Sequence, residues 1–284
     1  MKRSGHLPMA KLAYQDPIFM ESMAARPLRI IAEYLDPLKC LRQQKVGDTI
    51  VMFGSARIQS HDKAVEEFEK VKRKAKGRRN SEWRAKIRQA RAIVGMSRYY
   101  EDARALSHRI TSWAMTLGND PKRFVICSGG GPGIMEAANR GAAEAGGSSV
   151  GLSIQLPHEQ RPNAFITPEL NFCFHYFFMR KLWFAQKAKA LIVFPGGFGT
   201  MDELWEMLTL LQTGKLSSHH LILIYGREYW DKVLNWNHMV RSGTINEREY
   251  KMLQFADTVD EAFAHVRADM EANHLVLDPD WDRK

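Results

Sequence analysis

The sequence predicts an α/β fold, a Rossmann-like, doubly wound, mainly parallel sheet with helices on both faces. Three observations carry this. Short apolar runs rich in β-branched residues, at 48–53 (DTIVMF), 124–127 (FVIC), 149–154 (SVGLSI), 190–194 (ALIVF) and 221–225 (LILIY), lack the alternation of half-exposed strands and read as strands buried on both faces. Amphipathic helical stretches separate them, which is the rhythm of parallel βαβ units. Three of the runs end in turns of small residues, at 54–57, 128–133 and 195–200. The C-terminal ends of strands are where open α/β sheets hold ligands.

Composition predicts a soluble, cytoplasmic chain. No apolar run approaches the length of a membrane span, and the start, MKRSGHLPMAKLAYQD, lacks the apolar block of a signal peptide. Cys40, Cys127 and Cys173 are scattered, with no CxxC pair, and read as buried thiols in a reducing compartment. The ten histidines do not cluster with acids at ligand spacing, so no metal is expected, and His219-His220 reads as a loop pair. The net charge of +9 is local. Between Lys70 and Arg91 stand eleven Lys or Arg and one acid, Glu82, which leaves 30 bases and 31 acids elsewhere.

In chain order, 22–45 reads as a packing helix. Pro27 suits its start, and Leu28, Ile31, Leu35, Leu38 and Leu41 form an apolar stripe, while Asp36-Pro37 predicts a break or kink. The strand at 48–53 closes on Gly54-Ser55-Ala56-Arg57, either a ligand turn or an ordinary strand-to-helix turn with Ser55 as N-cap. The basic segment 61–100 predicts two helical pieces broken near 77–80. It reads as a solvated charged face or as a contact for RNA or an acidic partner; Trp83 alone would offer a base-stacking surface. An amphipathic helix is expected at 99–117 and a small-residue helix at 136–145. The glycine run 128–133 does not fit GxGxxG, because Ile134 stands where the third glycine belongs. The following strand ends at Gln155-Leu156, where a dinucleotide fold places an acid for the ribose. NAD and FAD are therefore disfavoured, and a mononucleotide fits better. A loop at 156–163, a strand at 170–174, a helix at 175–187, a helix from 229, an edge strand at 254–258, a helix at 259–270 and a loose tail, LDPDWDRK, complete the chain. The expected organisation is an N-terminal helical extension at 1–47, a nucleotide-binding catalytic domain at 48–270 with a basic helical insert at 60–98, and a tail at 271–284.

The richest stretch is 179–206, MRKLWFAQKAKALIVFPGGFGTMDELWE. Strand, glycine turn and helix start together aim backbone N–H groups and the positive end of a helix dipole at one anion, most simply a phosphate. Gly196, Gly197 and Gly199 allow close approach. Thr200 stands where an N-cap stands, Glu203 lies one turn into the helix beside the anion site, and Arg180 sits on the helix before the strand.

GGGPGIME at 129–136 and PGGFGTMDE at 195–203, with Arg180-Lys181 upstream, resemble the LOG family, the cytokinin-activating nucleoside 5′-monophosphate phosphoribohydrolases long labelled lysine decarboxylases. The resemblance spans roughly 49–266, and RPLRIIAEYL is similar to the longer bacterial members. It implies a Rossmann-like fold, a homodimer or dimer of dimers, no cofactor, and cleavage of the N-glycosidic bond of AMP or an N6-modified AMP to free base and ribose 5-phosphate. It assigns catalytic roles to Arg180 and Glu203. The phosphate turn is Gly196, Gly197, Gly199 and Thr200, with Ser55, Gly130, Gly131 and Met135 around the nucleotide. The chain departs from the family pattern in its basic insert and in Gly-Ser-Ala-Arg after the first strand, where many members have Gly-Ser-Ser.

The residue chemistry agrees with hydrolysis. Ribosyl cleavage passes through an oxocarbenium-like state that a carboxylate stabilises while orienting water, a role for Glu203. Arg180 would hold the nucleotide or assist departure of the base. The plainer alternative makes Glu203, Asp202 and Glu206 favourable acids near a helix N-terminus and Arg180 a surface partner. Two other functional classes stand beside this one: a decarboxylase, which needs an electron sink that no motif supplies, and a non-catalytic nucleotide-binding or RNA-associated protein acting through the basic insert.

Overall fold

The computed structural model describes residues 9–77, 80–118, 120–157, 161–216 and 219–276. Residues 1–8, the tail read at 277–284 and parts of the turns read at 77–80 and 156–163 lie outside them. The strands are β1 (Thr49–Phe53), β2 (Val125–Ser128), β3 (Ser149–Ile154), β4 (Asn171–Phe174), β5 (Ala188–Val193), β6 (Leu221–Tyr225) and β7 (Leu253–Ala256). They form one sheet in the order β4-β3-β2-β1-β5-β6-β7, and all six pairings are parallel. The helices are α1 (Pro17–Glu21), α2 (Arg26–Gln43), α3 (His61–Lys74), α4 (Ser81–Met96), α5 (Arg98–Met115), α6 (Ile134–Glu144), α7 (Phe177–Lys187), α8 (Phe198–Gln212), α9 (Arg227–Val233), α10 (Trp236–Arg241), α11 (Glu247–Tyr250) and α12 (Val259–Asn273). The chain winds outward from β1 to β4, returns to β5 beside β1, and winds outward again. The strand order therefore reverses between β1 and β5.

Continuous apolar runs are required because both faces are covered. Ile50, Met52, Ile126, Ile192 and Leu223 face one layer, shared with α5, α6 and α12. Val51, Phe53, Val125, Leu191 and Ile222 face the other, shared with α2, α7 and α8. Neighbouring residues of one strand thus serve opposite cores. At the N-terminal edge of the sheet, buried Asp48 accepts the Phe124 N–H and pairs with buried Arg123 at 2.8 Å. Arg123 also donates to the carbonyls of His274 and Leu275, which fastens the end of α12 to the starts of β1 and β2.

Several sequence expectations are corrected. The helix at 22–45 is not broken at Asp36-Pro37; α2 runs through it. A proline at position 37 leaves the Glu33 carbonyl without its helical donor. The indole Nε1 of Trp183 on α7 donates to that carbonyl at 3.1 Å, and the Glu33 carboxylate accepts the N–H groups of His175 and Tyr176 at the start of α7. A tertiary bond replaces the missing helical one. The apolar stripe of α2 is only partly packed: Leu41 is buried and Leu38 joins the core, while Leu28, Ile31 and Leu35 are exposed. Of the cysteines, Cys127 is buried, Cys40 half-buried and Cys173 exposed.

If Trp183 completes the helix at Pro37, Trp183→Phe should destabilise the fold by about 1–3 kcal/mol through the stranded carbonyl, read as a shift in the urea midpoint. Adding Pro37→Ala, which restores a helical donor, should recover part of that loss. Equal loss in the single and double variants would show that packing of the indole, not its hydrogen bond, sets the effect.

Candidate functional site

Backbone hydrogen bonds lace three turns together where the strand order reverses. The pairing of β1 with β5 continues past the strands, with Phe194 N–H to the Phe53 carbonyl at 2.8 Å and Ser55 N–H to the Pro195 carbonyl at 3.0 Å. The Ile134 N–H then reaches the Ser55 carbonyl at 3.2 Å. Such proximity requires glycine. Gly133 has φ +71°, and a Cβ there would strike the Ser55 carbonyl; a Cβ on Gly54 would lie 2.7 Å from the Ile134 side chain.

The first turn opens no helix. Residues 54–60 form a loop before α3, and the Ser55 hydroxyl accepts the Arg57 N–H at 3.1 Å in a local turn. Its expected alternative role as a helix N-cap is therefore not what the structure shows. In the second turn Gly130 also has positive φ, +71°. The Asn163 side chain pins that turn by donating to the carbonyls of Gly130 and Gly131, each at 3.1 Å.

The third turn also differs from expectation. Helix α8 begins at Phe198 with Gly197 as N-cap, so Thr200 lies inside the first turn and is not the cap. The extended backbone of Gly197 lets its carbonyl accept the N–H groups of both Thr200 and Met201. The amides of Phe198 and Gly199, ahead of those bonds, belong to the helix end that lacks intrahelical acceptors. Thr200 is buried beside Gly196, where a Cβ would collide with its hydroxyl oxygen. The Tyr229 hydroxyl on α9 donates to the Gly196 carbonyl at 2.8 Å.

These turns border a cleft with two lobes. One, of about 540 Å³, is lined by Ser55, Arg57, Tyr229 and the α8 start from Gly196 to Met201. The other, of about 230 Å³, is lined by Gly129, Gly130, Gly131, Ser153, Leu156, Arg161, Phe177, Asp202 and Glu203. Met135, Arg180 and Gly199 line both. All ten residues singled out from the sequence border this cleft. Ser153, Arg161 and Tyr229, which line the cleft, and Asn163, which pins the second turn, were missed. They come from loops, a strand interior and a helix whose local patterns carry no signal of a site.

Glu203 is the electrostatic centre. Its side chain is 4% exposed, with Arg180 Nη2 at 3.8 Å and Lys181 Nζ at 3.5 Å. Burial pushes its carboxyl up to about 7; Lys181 and Arg180 oppose that, while Glu206 and Asp202 reinforce it. Lys181 also contacts Asp202 at 2.8 Å and Glu206 at 2.6 Å. Burial alone would lower its pKa, but its hydrogen bonds to Asp202 and Glu206 and the nearby acids carry it above the ordinary lysine value. Arg180 is 13% exposed and lies 5.2 Å from the Phe184 ring centre; burial lowers its pKa, and a guanidinium still stays charged. Arg180 Nε and Ser153 Oγ are buried without hydrogen-bond partners, and both residues line the smaller lobe. Orphaned polar atoms on a cleft wall are what a polar ligand would satisfy. Among the described residues no group of three or more His, Cys, Asp or Glu could hold a metal ion, and no helix is long and apolar enough to cross a membrane.

Residues 135–266 match the family model described as "Possible lysine decarboxylase". Similar solved structures include the molybdenum cofactor binding protein from the phototrophic bacterium Rippkaea orientalis, 16% identical over 60% of this chain and 86% of that chain, with a TM-score of 0.43. The molybdenum cofactor carrier protein from Chlamydomonas reinhardtii is 17% identical over 61% and 89%, with a TM-score of 0.39. The structure titled TM1055 is 16% identical over 78% and 99%, with a TM-score of 0.41. Similarity this remote says nothing of ligand or activity. A comparison with curated proteins gives no match.

The raised Glu203 value has a consequence for stability. A carboxyl that holds its proton more tightly when folded stabilises the fold fully below its unfolded value near 4.5, and that contribution is lost as pH rises through about 7. The loss is on the order of 3 kcal/mol. Glu203→Gln should therefore be more stable than the parent at pH 8 by that order and nearly equal to it at pH 4.5. Urea unfolding across that range checks both the sign and the window.

Proposed function

We propose that this chain, whose residues 135–266 match the family model described as possible lysine decarboxylases, is a nucleoside 5′-monophosphate phosphoribohydrolase. It would hydrolyse the N-glycosidic bond of AMP or an N6-modified AMP, as the resemblance to the LOG family implies. The observation that carries this reading is the buried Glu203, flanked by Arg180 and Lys181, on the helix that opens on the glycine turn at 195–199.

In this reading the 5′-phosphate occupies the larger lobe, against the amides of Phe198 and Gly199 and beside Ser55 and Arg57. The base occupies the smaller lobe, near Phe177, Leu156 and the unpartnered Ser153 hydroxyl. Residues shared by the two lobes, Arg180 and Met135 among them, then border the ribose. The ionised Glu203 carboxylate orients a water molecule and stabilises the positive charge that grows at C1′. The water oxygen bonds to C1′, its proton passes to Glu203, and the C1′–N bonding electrons leave with the base, which takes up a proton. Phosphate binding remote from C1′ holds the ribose in place for that step. Arg180 offers charge-assisted donors to the nucleotide at the junction.

The family description also names lysine decarboxylation, whose usual electron sink, pyridoxal phosphate, is held as a Schiff base on a lysine. The cleft does not fit that group. No lysine lines either lobe among the described residues, and nearby Lys181 is tied to three carboxylates that keep it protonated and non-nucleophilic.

Incubation with AMP, GMP, CMP and isopentenyl-AMP, followed by chromatography for free base, tests the proposal. Glu203→Gln should still bind nucleotide and lose about 10²–10⁴-fold in kcat. In the parent, kcat/KM should rise about tenfold per pH unit below about 7 and level off above it, because the carboxylate must be ionised to orient water. A fully active Glu203→Gln variant overturns the mechanism. Binding of AMP without release of base would place the protein among non-catalytic nucleotide binders.

A further inference from the structure

Helices α3 and α4 form a hairpin that the proposed hydrolysis does not use. The two helices pack on each other, and Ala64, Ala75 and Ala90 are buried. At its root the His61 N–H bonds to Glu101, and the His61 ring lies 3.0 Å from the Ser97 hydroxyl, which anchors it to α5. Charge is graded along the hairpin. Asp62, Glu66, Glu67 and Glu69 lie toward the root of α3, and from Lys70 onward the chain turns basic. Among the described residues, ion pairs in the hairpin include short-range ones inside a single helix, Lys70 with Glu66 and Glu67, Lys72 with Glu69, and Lys86 with Glu82.

That leaves a large uncompensated cationic surface. Arg73, Lys74, Lys76, Arg88 and Arg91 are exposed, and among the described residues none has a carboxylate at ion-pair distance. On α4, Arg84, Arg88 and Arg91 are all exposed and spaced four and three residues apart, so they share one face and span about 10 Å along the axis. The rest of the chain is nearly neutral, so the field originates in this hairpin.

We infer that the α3–α4 hairpin is a docking surface for the phosphodiester backbone of a nucleic acid. Guanidinium groups match phosphate geometry, and one stripe of three of them tracks a linear polyanion better than a compact ligand. The surface lacks what other anionic partners need. Val65, at the acidic root, is the sole large hydrophobic residue that is exposed among the described residues of 61–96. A protein partner would lack an apolar anchor, and a lipid surface would lack an apolar face to bury. Trp83 is half-buried, with the Lys86 ammonium 4.6 Å from its ring centre, so a stacking platform for bases is also missing. The binding is therefore electrostatic and indifferent to sequence. It is independent of hydrolysis at the cleft.

The test is fluorescence anisotropy of the whole protein with labelled 25-nucleotide RNA and DNA, single-stranded and duplex, across a series of salt concentrations. The logarithm of the binding constant should fall linearly with log salt, by about 0.7–0.9 per phosphate contact, with a Kd of about 10⁻⁴–10⁻⁶ M at physiological salt. The variant carrying Arg84→Gln, Arg88→Gln and Arg91→Gln, which keeps good helix formers, should bind at least about tenfold more weakly and lose about 2–3 from the salt slope. Its circular dichroism should be unchanged. Glu203→Gln should bind the oligonucleotides like the parent, which separates this surface from the cleft. Equal binding by the triple variant and the parent overturns the inference. Competition by polyglutamate as effective as that by oligonucleotide, at matched charge, overturns it in favour of an acidic protein partner.

Discussion

The site depends on backbone-to-backbone contact among three turns. Parallel pairing of β1 with β5 brings the carbonyl of Phe53 to the amide of Phe194, and the same ladder carries on from Ser55 to Pro195. The second turn joins through Ile134 and Ser55. No side chain could be inserted at Gly133 or Gly54 without driving the turns apart. The glycines therefore serve two physical ends. Gly197 and Gly199 leave open space at the start of α8, while Gly54 and Gly133 let the first and second turns touch at all.

The second dependency concerns charge. A carboxylate that is 4% exposed would be costly to ionise in isolation. Arg180 and Lys181 reduce that cost without abolishing it, because both cations stand 3.5–3.8 Å away and Lys181 is shared with Asp202 and Glu206. The resulting carboxyl is poised near neutrality. Helix α7 presents both cations, and its start is fixed by the Glu33 carboxylate while its Trp183 completes α2 across Pro37. The helix before the first strand thereby helps to set the position of the cleft's cations.

Much of this was legible in the chain itself. The apolar runs at 149–154 and 221–225 coincide with β3 and β6, since strands buried on both faces must be continuously hydrophobic. The break in the basic segment appears as the change from α3 to α4. Ser55, Gly130, Gly131, Met135, Arg180, Gly196, Gly197, Gly199, Thr200 and Glu203 all border one cleft, because three turns at C-terminal strand ends converge where strand order reverses.

Local sequence determined the buried strands, most of the longer helices, the glycine turns and the isolation of positive charge in one insert. Each of these follows from the spacing and type of neighbouring residues. Tertiary structure decided the rest. Whether Pro37 breaks a helix depends on an indole 146 positions away in the chain, and the pKa of Glu203 depends on how deeply α8 is covered. Ser153 lines the cleft, and Asn163 pins the second glycine turn, only because β3 and its following loop fold over that turn. Hydrogen bonds and burial between distant segments leave no periodicity in the sequence, so those features emerge only once the segments meet.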